Sequence, residues 1–262
     1  MLRLTPLCVS NRRSSGHAYD GGGPQTHHWQ VYARIIEGIR NQVDVPIYPS
    51  YPPLMTNGAD QAIADASVRF AHIEELAARG LIEFGLVDPG SVNFTLRRTT
   101  SAAAPAGTYM NTEDHVRHAL DLAARHGLHP DYAIYEPGFT RAGAALARAA
   151  GTKTPIYRLM FCELVAVGFP PRSYALDAYL ALQEEEAPGA PWMIAAVSAD
   201  IRPLIGETVR RGGHIRVGLE DAPLGTKASN LELVEEAVRM VREHGAEPAT
   251  PTEMRQALAA LA

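Results

Sequence analysis

The chain has 262 residues, 46% of them apolar and 20% charged, with a formal net charge of −5. Such a chain can bury one large core. Its modest negative charge, without a long Lys or Arg run, excludes tracking of a phosphate backbone, and no apolar stretch reaches the roughly 18 residues that a membrane span needs.

Residues 2–9 read as a strand that Pro6 confines to an edge or a barrel rim. The charges of the first sixteen residues follow the apolar run instead of preceding it, the reverse of a secretory signal, so the cytoplasm is the expected location. Residues 14–26, rich in Gly and Ser, read as a loop before a helix starting near His28. Strands are predicted near 46–51, 84–88, 132–136, 157–161, 193–197 and 214–219, alternating with stretches of helical period. The helices carry apolar stripes: Phe70, Ile73, Leu76 and Ala77; Val116, Ala119, Leu120 and Ala123; Val234, Ala237, Val238 and Val241. Gly80, Gly127 and Gly245 fall just past periodic runs, where a left-handed cap favours Gly. Ser229 with Glu232, and Thr250 with Glu253, fit capping boxes. Residues 97–111 form the longest stretch without periodicity, which suits a functional lid or disorder.

Alternating strands and helices predict an α/β protein with a parallel sheet, and the length favours one TIM-type (β/α)8 barrel over residues 1–262. Six strands do not close such a barrel. The segment 1–20 is atypical, and the first βα unit is expected to be incomplete or altered. Cys8 and Cys162 lack paired spacing, which argues for a reducing compartment and two small buried residues.

Sites in parallel barrels lie at the C-terminal strand ends. The polar residues there are Ser50 and Tyr51; Ser91 and Asn93; Glu136; Glu163; Ser198 and Asp200; and Glu220 with Asp221. The densest run is GGHIRVGLED, residues 212–221. Arg216 and Glu220 differ by an even number, so a strand would point both to one face, with Gly218 leaving that face open. An inward Arg needs a carboxylate, and Asp221 could turn to meet it. That pair also has a purely structural reading, as a salt bridge that locks the last strand. His214 is read as a packed or hydrogen-bonded core histidine.

The run from Gly212 to Leu258, GGHIRVGLEDAPLGTKASNLELVEEAVRMVREHGAEPATPTEMRQAL, resembles the C-terminal signature of the β-keto acid cleavage enzymes, the family of 3-keto-5-aminohexanoate cleavage enzyme. GSVNF, residues 90–94, resembles a second family motif and HPDYAIYEPG, residues 129–138, a third. The likeness runs from about residue 17 to the C-terminus. It implies a zinc-dependent barrel that exchanges acyl groups between a β-keto acid and acetyl-CoA, releasing acetoacetate and a new acyl-CoA. Glu220 matches the carboxylate zinc ligand, Arg216 with Asp221 the acid–base pair, and Ser91 and Asn93 the substrate pocket, to which Ser50 and Glu136 are added as candidates. His17 matches the second histidine of the family's His-x-His zinc pair, whereas Ser15 stands at the first. Ala133 stands where the family has a glutamate, with Glu136 as a functional substitute. His27 and His28, at a helix start, are expected to be exposed. The implied partners are a small β-keto acid and a CoA thioester, with a homo-oligomer as the expected assembly. Two alternatives stay open: a member with a shortened start, impaired by loss of one zinc ligand, and another metal-dependent aldolase-type lyase on the same barrel.

Overall fold

The structure is a computed structural model that describes residues 18–19, 25–56, 62–97 and 107–261. It opens with an antiparallel pair, β1 (Ala18–Tyr19) and β2 (Gln25–Thr26), followed by α1 (Trp29–Arg40), a 3-10 turn (Ala62–Ala64) and α2 (Ala66–Ala78). Then come β3 (Phe84–Val87), the short strands β4 (Val92–Asn93) and β5 (Thr108–Tyr109), α3 (Glu113–His126), β6 (His129–Ile134) and α4 (Pro137–Ala150). The chain continues through β7 (Ile156–Cys162), α5 (Ser173–Glu186), β8 (Trp192–Val197), α6 (Arg202–Arg210), β9 (His214–Ile215), α7 (Asn230–Glu243) and α8 (Pro251–Ala259).

Five strands form one parallel sheet in the order β3-β6-β7-β8-β9. Strand order follows chain order, as in a (β/α)8 barrel. A doubly wound sheet would reverse direction at a switch point. The protein is therefore an α/β fold whose described residues supply five consecutive barrel strands. The expected strand over 2–9 lies outside the described residues.

The predicted strand over 46–51 does not form. Pro46, Pro49, Pro52 and Pro53 remove the amide donors a ladder needs. Side chains tether this segment instead: Tyr48 packs on Phe84 with ring centroids 6.1 Å apart, and the Asp88 amide donates to the Tyr51 hydroxyl at 3.1 Å.

Helical stripes bury as their spacing predicts. Phe70, Ile73, Leu76 and Ala77 of α2, and Val116, Ala119, Leu120 and Ala123 of α3, belong to the main core. Truncating a fully buried member such as Leu120 to Ala costs about 2–5 kcal/mol. Of the α7 stripe only Ala237 and Val241 are fully buried. Gly127 caps α3 in the left-handed region with φ 64°, and both capping boxes close as expected.

Strand alternation gives the sheet two different faces. Tyr132, Ile134, Leu159, Phe161, Ile194 and Ala196 join the main core with the helices. The other, inner face is layered. At the strand starts Phe84, Ile156 and Met193 pack with Met254 and Leu258 of α8. One layer up, Arg158 lies 3.7 Å from Asp131, both almost fully buried, and above them Ala133, Met160 and Ala195 cluster.

Candidate active site

The expected strand over 214–219 ends at Ile215, and the chain then turns. The amides of Asp221 and Ala222 both donate to the Gly218 carbonyl, at 3.1 and 3.0 Å. The parity argument for Arg216 and Glu220 therefore fails, because period-2 geometry stops before Glu220. The two side chains still meet, with Arg216 Nη2 3.3 Å from Glu220 Oε2, because the turn brings residues four apart together. Gly218 lies beside this group: a Cβ there would stand in ordinary van der Waals contact, 3.4 Å from Asn230 Oδ1 and 3.5 Å from Asp221 Oδ2.

Asp221 is held from three sides. Arg216 donates to its Oδ1 from Nε at 3.0 Å and from Nη2 at 2.7 Å, and the Ala196 amide donates to the same oxygen at 3.0 Å. Its backbone carbonyl accepts from Ala199 at 3.0 Å, which ties the turn to the end of β8. Arg216 and Asp221 are 6% and 5% exposed, a burial at which only a paired carboxylate is stable. Burial pushes the Asp221 carboxyl up from the usual carboxylate range; the Arg216 charge opposes this and the Glu220 charge adds to it. Glu220 is about one third exposed, and its carbonyl accepts from the Ser198 amide at 3.4 Å. Ser198 itself sits at φ 51°, a left-handed conformation that a non-glycine residue adopts at a cost. Strained backbone of this kind gathers at functional sites, and here it lies where β8 meets the carboxylate turn.

The remaining sequence candidates fall around the same strand ends with other partners. The Ser50 carbonyl lies 2.9 Å from His72 Nε2. Ser91 Oγ donates to the Asn111 carbonyl at 3.1 Å and accepts from its amide at 2.8 Å, while Asn93 Oδ1 accepts from Thr108 Oγ1 at 2.6 Å. Both residues thus fasten the hairpin of β4 and β5 over the end of β3. The Gly of the GSVNF motif, Gly90, lies against Phe139, where any Cβ would collide with the ring at 2.2 Å. Glu136 Oε1 accepts from the Gly168 amide at 3.0 Å and Glu163 pairs with Arg172 at 3.1 Å. Asp200 binds Arg202 at 2.8 Å. His17 lies outside the described residues. Among the described residues no group of three or more His, Cys, Asp or Glu is placed to hold a metal ion. His28 is exposed, but His27 is half-buried and packs against His72 with tilted rings 5.3 Å apart, so the expected exposure holds for one of the two. His214 is a buried core histidine as read, and burial lowers it to about 4. Cys162 is buried, with its thiol pushed up to about 12 by that burial; Cys8 lies outside the described residues.

Sequence reasoning missed a second polar group. Asp88, one residue past β3, is 5% exposed and accepts from the Tyr109 hydroxyl at 2.5 Å on Oδ2. Tyr109 lies within the stretch read as without periodicity, where it pairs with Val92 across β4 and β5. Arg69, fully buried, stacks 4.7 Å over the Tyr51 ring and donates to Pro52, Met110 and Asn111. Arg69 sits on the helical stripe side of α2 and carries no sequence signal; Asp88 could have been found, because a carboxylate immediately after a strand meets the same rule that selected Glu220.

Comparison with known proteins bears on this arrangement. The 3-keto-5-aminohexanoate cleavage enzyme of Fusobacterium nucleatum subsp. nucleatum is 28% identical over 92% of this chain and 81% of its own length. The 3-dehydrocarnitine:acetyl-CoA trimethylamine transferase of Rhizobium meliloti is 26% identical over 79% of this chain and 64% of its own. The 3-keto-5-aminohexanoate cleavage enzyme of Acetoanaerobium sticklandii is 27% identical over 57% of this chain and 55% of its own. The family model described as beta-keto acid cleavage enzyme matches residues 16–259, which takes in the strand ends, the Arg216–Asp221 pair and the turn carrying Glu220, and the chain belongs to that family.

Proposed function

We propose that this chain cleaves a β-keto acid by acyl exchange with acetyl-CoA, giving acetoacetate and an acyl-CoA, with Asp221 as general base. The observation that carries the reading is the asymmetry of the Asp221 carboxylate: three N–H donors fall on Oδ1 and, among the described residues, none on Oδ2. A carboxylate fixed by one oxygen keeps the other to accept a proton, and the fixed geometry removes the cost of orienting it. Arg216 keeps Asp221 ionised against its burial and faces the space where enolate charge develops, which lowers the energy of that charge.

Glu220 suits a divalent metal as an oxygen donor that is part-exposed at the strand end, and His17 is proposed as its imidazole partner. A bound zinc ion would supply Lewis-acid stabilisation of the enolate. Ser50, Ser91, Asn93 and Glu136 are proposed to line the substrate pocket, the middle two through the hairpin that covers the end of β3. The setting is proposed to be the cytoplasm and the assembly a homo-oligomer, an assembly supported by Leu219, Leu224 and Leu231, exposed by 37%, 72% and 66% around the carboxylate turn.

The test is incubation of the purified protein with acetyl-CoA and a panel of β-keto acids, with acetoacetate and acyl-CoA quantified by mass spectrometry. Turnover of keto acid without any thioester would overturn acyl exchange in favour of an aldolase-type lyase. A second reading, an impaired member, is favoured by Ser15 at the position of the first family histidine; near-stoichiometric zinc in the purified protein rejects it.

A further inference from the structure

Strand register puts a phenol on the same level as Arg216. Ile134 pairs with Leu159, Met160 with Ala195 and Ile194 with Ile215, so the ladder, continued by one residue, sets Tyr135 beside Met160 and Ala195 beside Arg216. The four residues make one row across β6, β7, β8 and the end of β9. Alternation gives the face: Tyr135 stands two positions beyond Ala133 and packs on the inner cluster of Ala133, Met160 and Ala195. Apolar side chains thus fill the middle of the row, while a phenol and a guanidinium stand at its two ends. Phe94, just past β4, and Tyr109 of β5 meet the Tyr135 ring edge-on, with centroids 5.9 and 6.3 Å away, and hold its plane.

The hydroxyl on that ring is unused. Tyr51 accepts from the Asp88 amide, Tyr109 donates to the Asp88 carboxylate, and Tyr132 and Tyr179 donate to the carbonyls of Gly143 and Met160. The half-buried Tyr135 has no hydrogen-bond partner for its hydroxyl among the described residues. Burial first, then the charges of Asp88 and Glu220, raise this phenol above the ordinary phenol range, against the opposing charges of Arg158 and Arg216. It therefore keeps its proton and has a donor to offer.

The general-base step creates an acceptor for it. When Asp221 removes a proton from the carbon between the keto and carboxylate groups, the C–H electron pair moves toward the keto oxygen and the proton stays on Asp221. Arg216 meets that charge from one end of the row, and a phenol at the other end meets it from across Met160 and Ala195. A fixed donor binds the charged oxygen more strongly than the neutral ketone, so it accelerates the step instead of only holding the substrate.

We propose that Tyr135 is a catalytic residue whose hydroxyl donates to the keto oxygen of the β-keto acid as that oxygen takes on enolate charge. This role rests on the reading of Asp221 as the general base of acyl exchange. Tyr135 keeps its own proton throughout; only its hydrogen bond strengthens.

The experiment uses acetoacetate, the product that acyl exchange yields whichever keto acid enters, and itself a β-keto acid. Exchange in heavy water of the protons between its keto and carboxylate groups, followed by NMR, reads enolate formation without acetyl-CoA. Passage of a carbon-13 label from acetyl-CoA into acetoacetate reads acyl exchange, and calorimetry gives acetoacetate affinity. Tyr135→Phe keeps the ring and removes no hydrogen bond to a described residue. In it, enzyme-dependent proton exchange should fall by about 10²-fold, the usual cost of removing one donor to a developing oxyanion, while acetoacetate affinity and melting temperature stay close to those of the unaltered protein. Equal exchange rates in the two proteins would overturn the role of Tyr135, as would a loss carried entirely by weaker acetoacetate binding. Proton exchange without label transfer in the unaltered protein would overturn acyl exchange alone, with Tyr135 still decided by the exchange rates. Absence of both activities would overturn Tyr135 together with the reading beneath it.

Discussion

Arg216 meets Asp221 on a single oxygen, with Nε and Nη2 converging on Oδ1 at 3.0 and 2.7 Å, so the guanidinium fork closes on one atom and does not span the carboxylate. This geometry separates holding the base from using it. Asp221→Asn can keep an oxygen in the Oδ1 position and with it the Arg216 and Ala196 bonds. It loses the proposed proton acceptor. The expected outcome is a fall in kcat of about 10²–10⁴-fold, the usual contribution of a general base, with zinc content and melting temperature close to those of the unaltered protein. Parallel metal analysis and thermal melts check this, and metal loss equal to that of a Glu220 variant would contradict the division of roles.

Glu220→Gln acts on the other function. It removes the charge of the proposed metal ligand while leaving the backbone turn and the Asp221 clamp intact. Zinc affinity and activity should fall together, and added zinc should restore part of the activity. Retention of full zinc affinity, measured by competition with a chromophoric chelator, would remove Glu220 from the metal site.

Arg216→Lys replaces a planar fork that fits two donors onto Oδ1 with one point charge. Arg216→Met leaves Asp221 buried without its counter-charge, a change that costs about 3–5 kcal/mol when a buried pair is broken. Urea unfolding should rank the unaltered protein above the Lys variant and the Lys variant above the Met variant; a Met variant as stable as the unaltered protein at neutral pH would show that the pair contributes no net stability.

Asn230, the first residue of α7, accepts the Leu219 amide on Oδ1 at 2.9 Å and so clamps the turn between Gly218 and Glu220. The capping box of Ser229 and Glu232 fixes the helix end from which it reaches. Asn230→Ala should lower kcat about tenfold with little change in stability, because loss of one part-exposed hydrogen bond costs only about 1 kcal/mol. Asn230→Asp keeps the acceptor oxygen and should recover most of the rate. Equal loss in the two variants would rule out a positioning role through Oδ1.

The pH dependence has two opposing limbs. His214 and His129 are lowered from 6.5 to about 4, both chiefly by burial, so between these values the unfolded chain binds protons that the folded chain does not. That contribution to stability is present above pH 6.5 and is lost as pH falls toward 4. Asp221 and Asp88 are raised, so the folded chain binds the extra protons and stability declines as pH rises from the unfolded carboxylate range through their folded values. Chemical denaturation at a series of pH values should show the two limbs opposing each other as pH rises from about 4 to 6.5, and His214→Gln should flatten the rising, histidine limb.

Helix ends were the most legible part of the chain, because Ser229, Thr250 and Gly127 act through bonds to residues within four positions. The parallel strand order was legible from alternation alone. The strand expected over 46–51 was not, since its apolar and aromatic residues hide Pro46 and Pro49, with Pro52 and Pro53 directly after, whose effect on pairing outweighs β propensity. The pair Arg216 and Asp221 could be anticipated from the cost of burying a lone guanidinium, yet Glu220 reached it by a turn that the strand pattern did not suggest. Asp88, Tyr51 and Tyr109 come from three segments far apart in the chain, and Tyr109 lies in a stretch without periodicity, so no local pattern brings them together.

Met254 and Leu258 of α8 close the strand starts beneath Phe84, Ile156 and Met193. That end of the sheet is stoppered by a helix, so on the proposed reaction the keto acid and the thioester would both come from the opposite end, where the strands open. Reactants that come from one side would take turns, the slender keto acid first and the bulky nucleotide-bearing thioester over it, a queue that would owe more to the helix beneath the strands than to the catalytic groups.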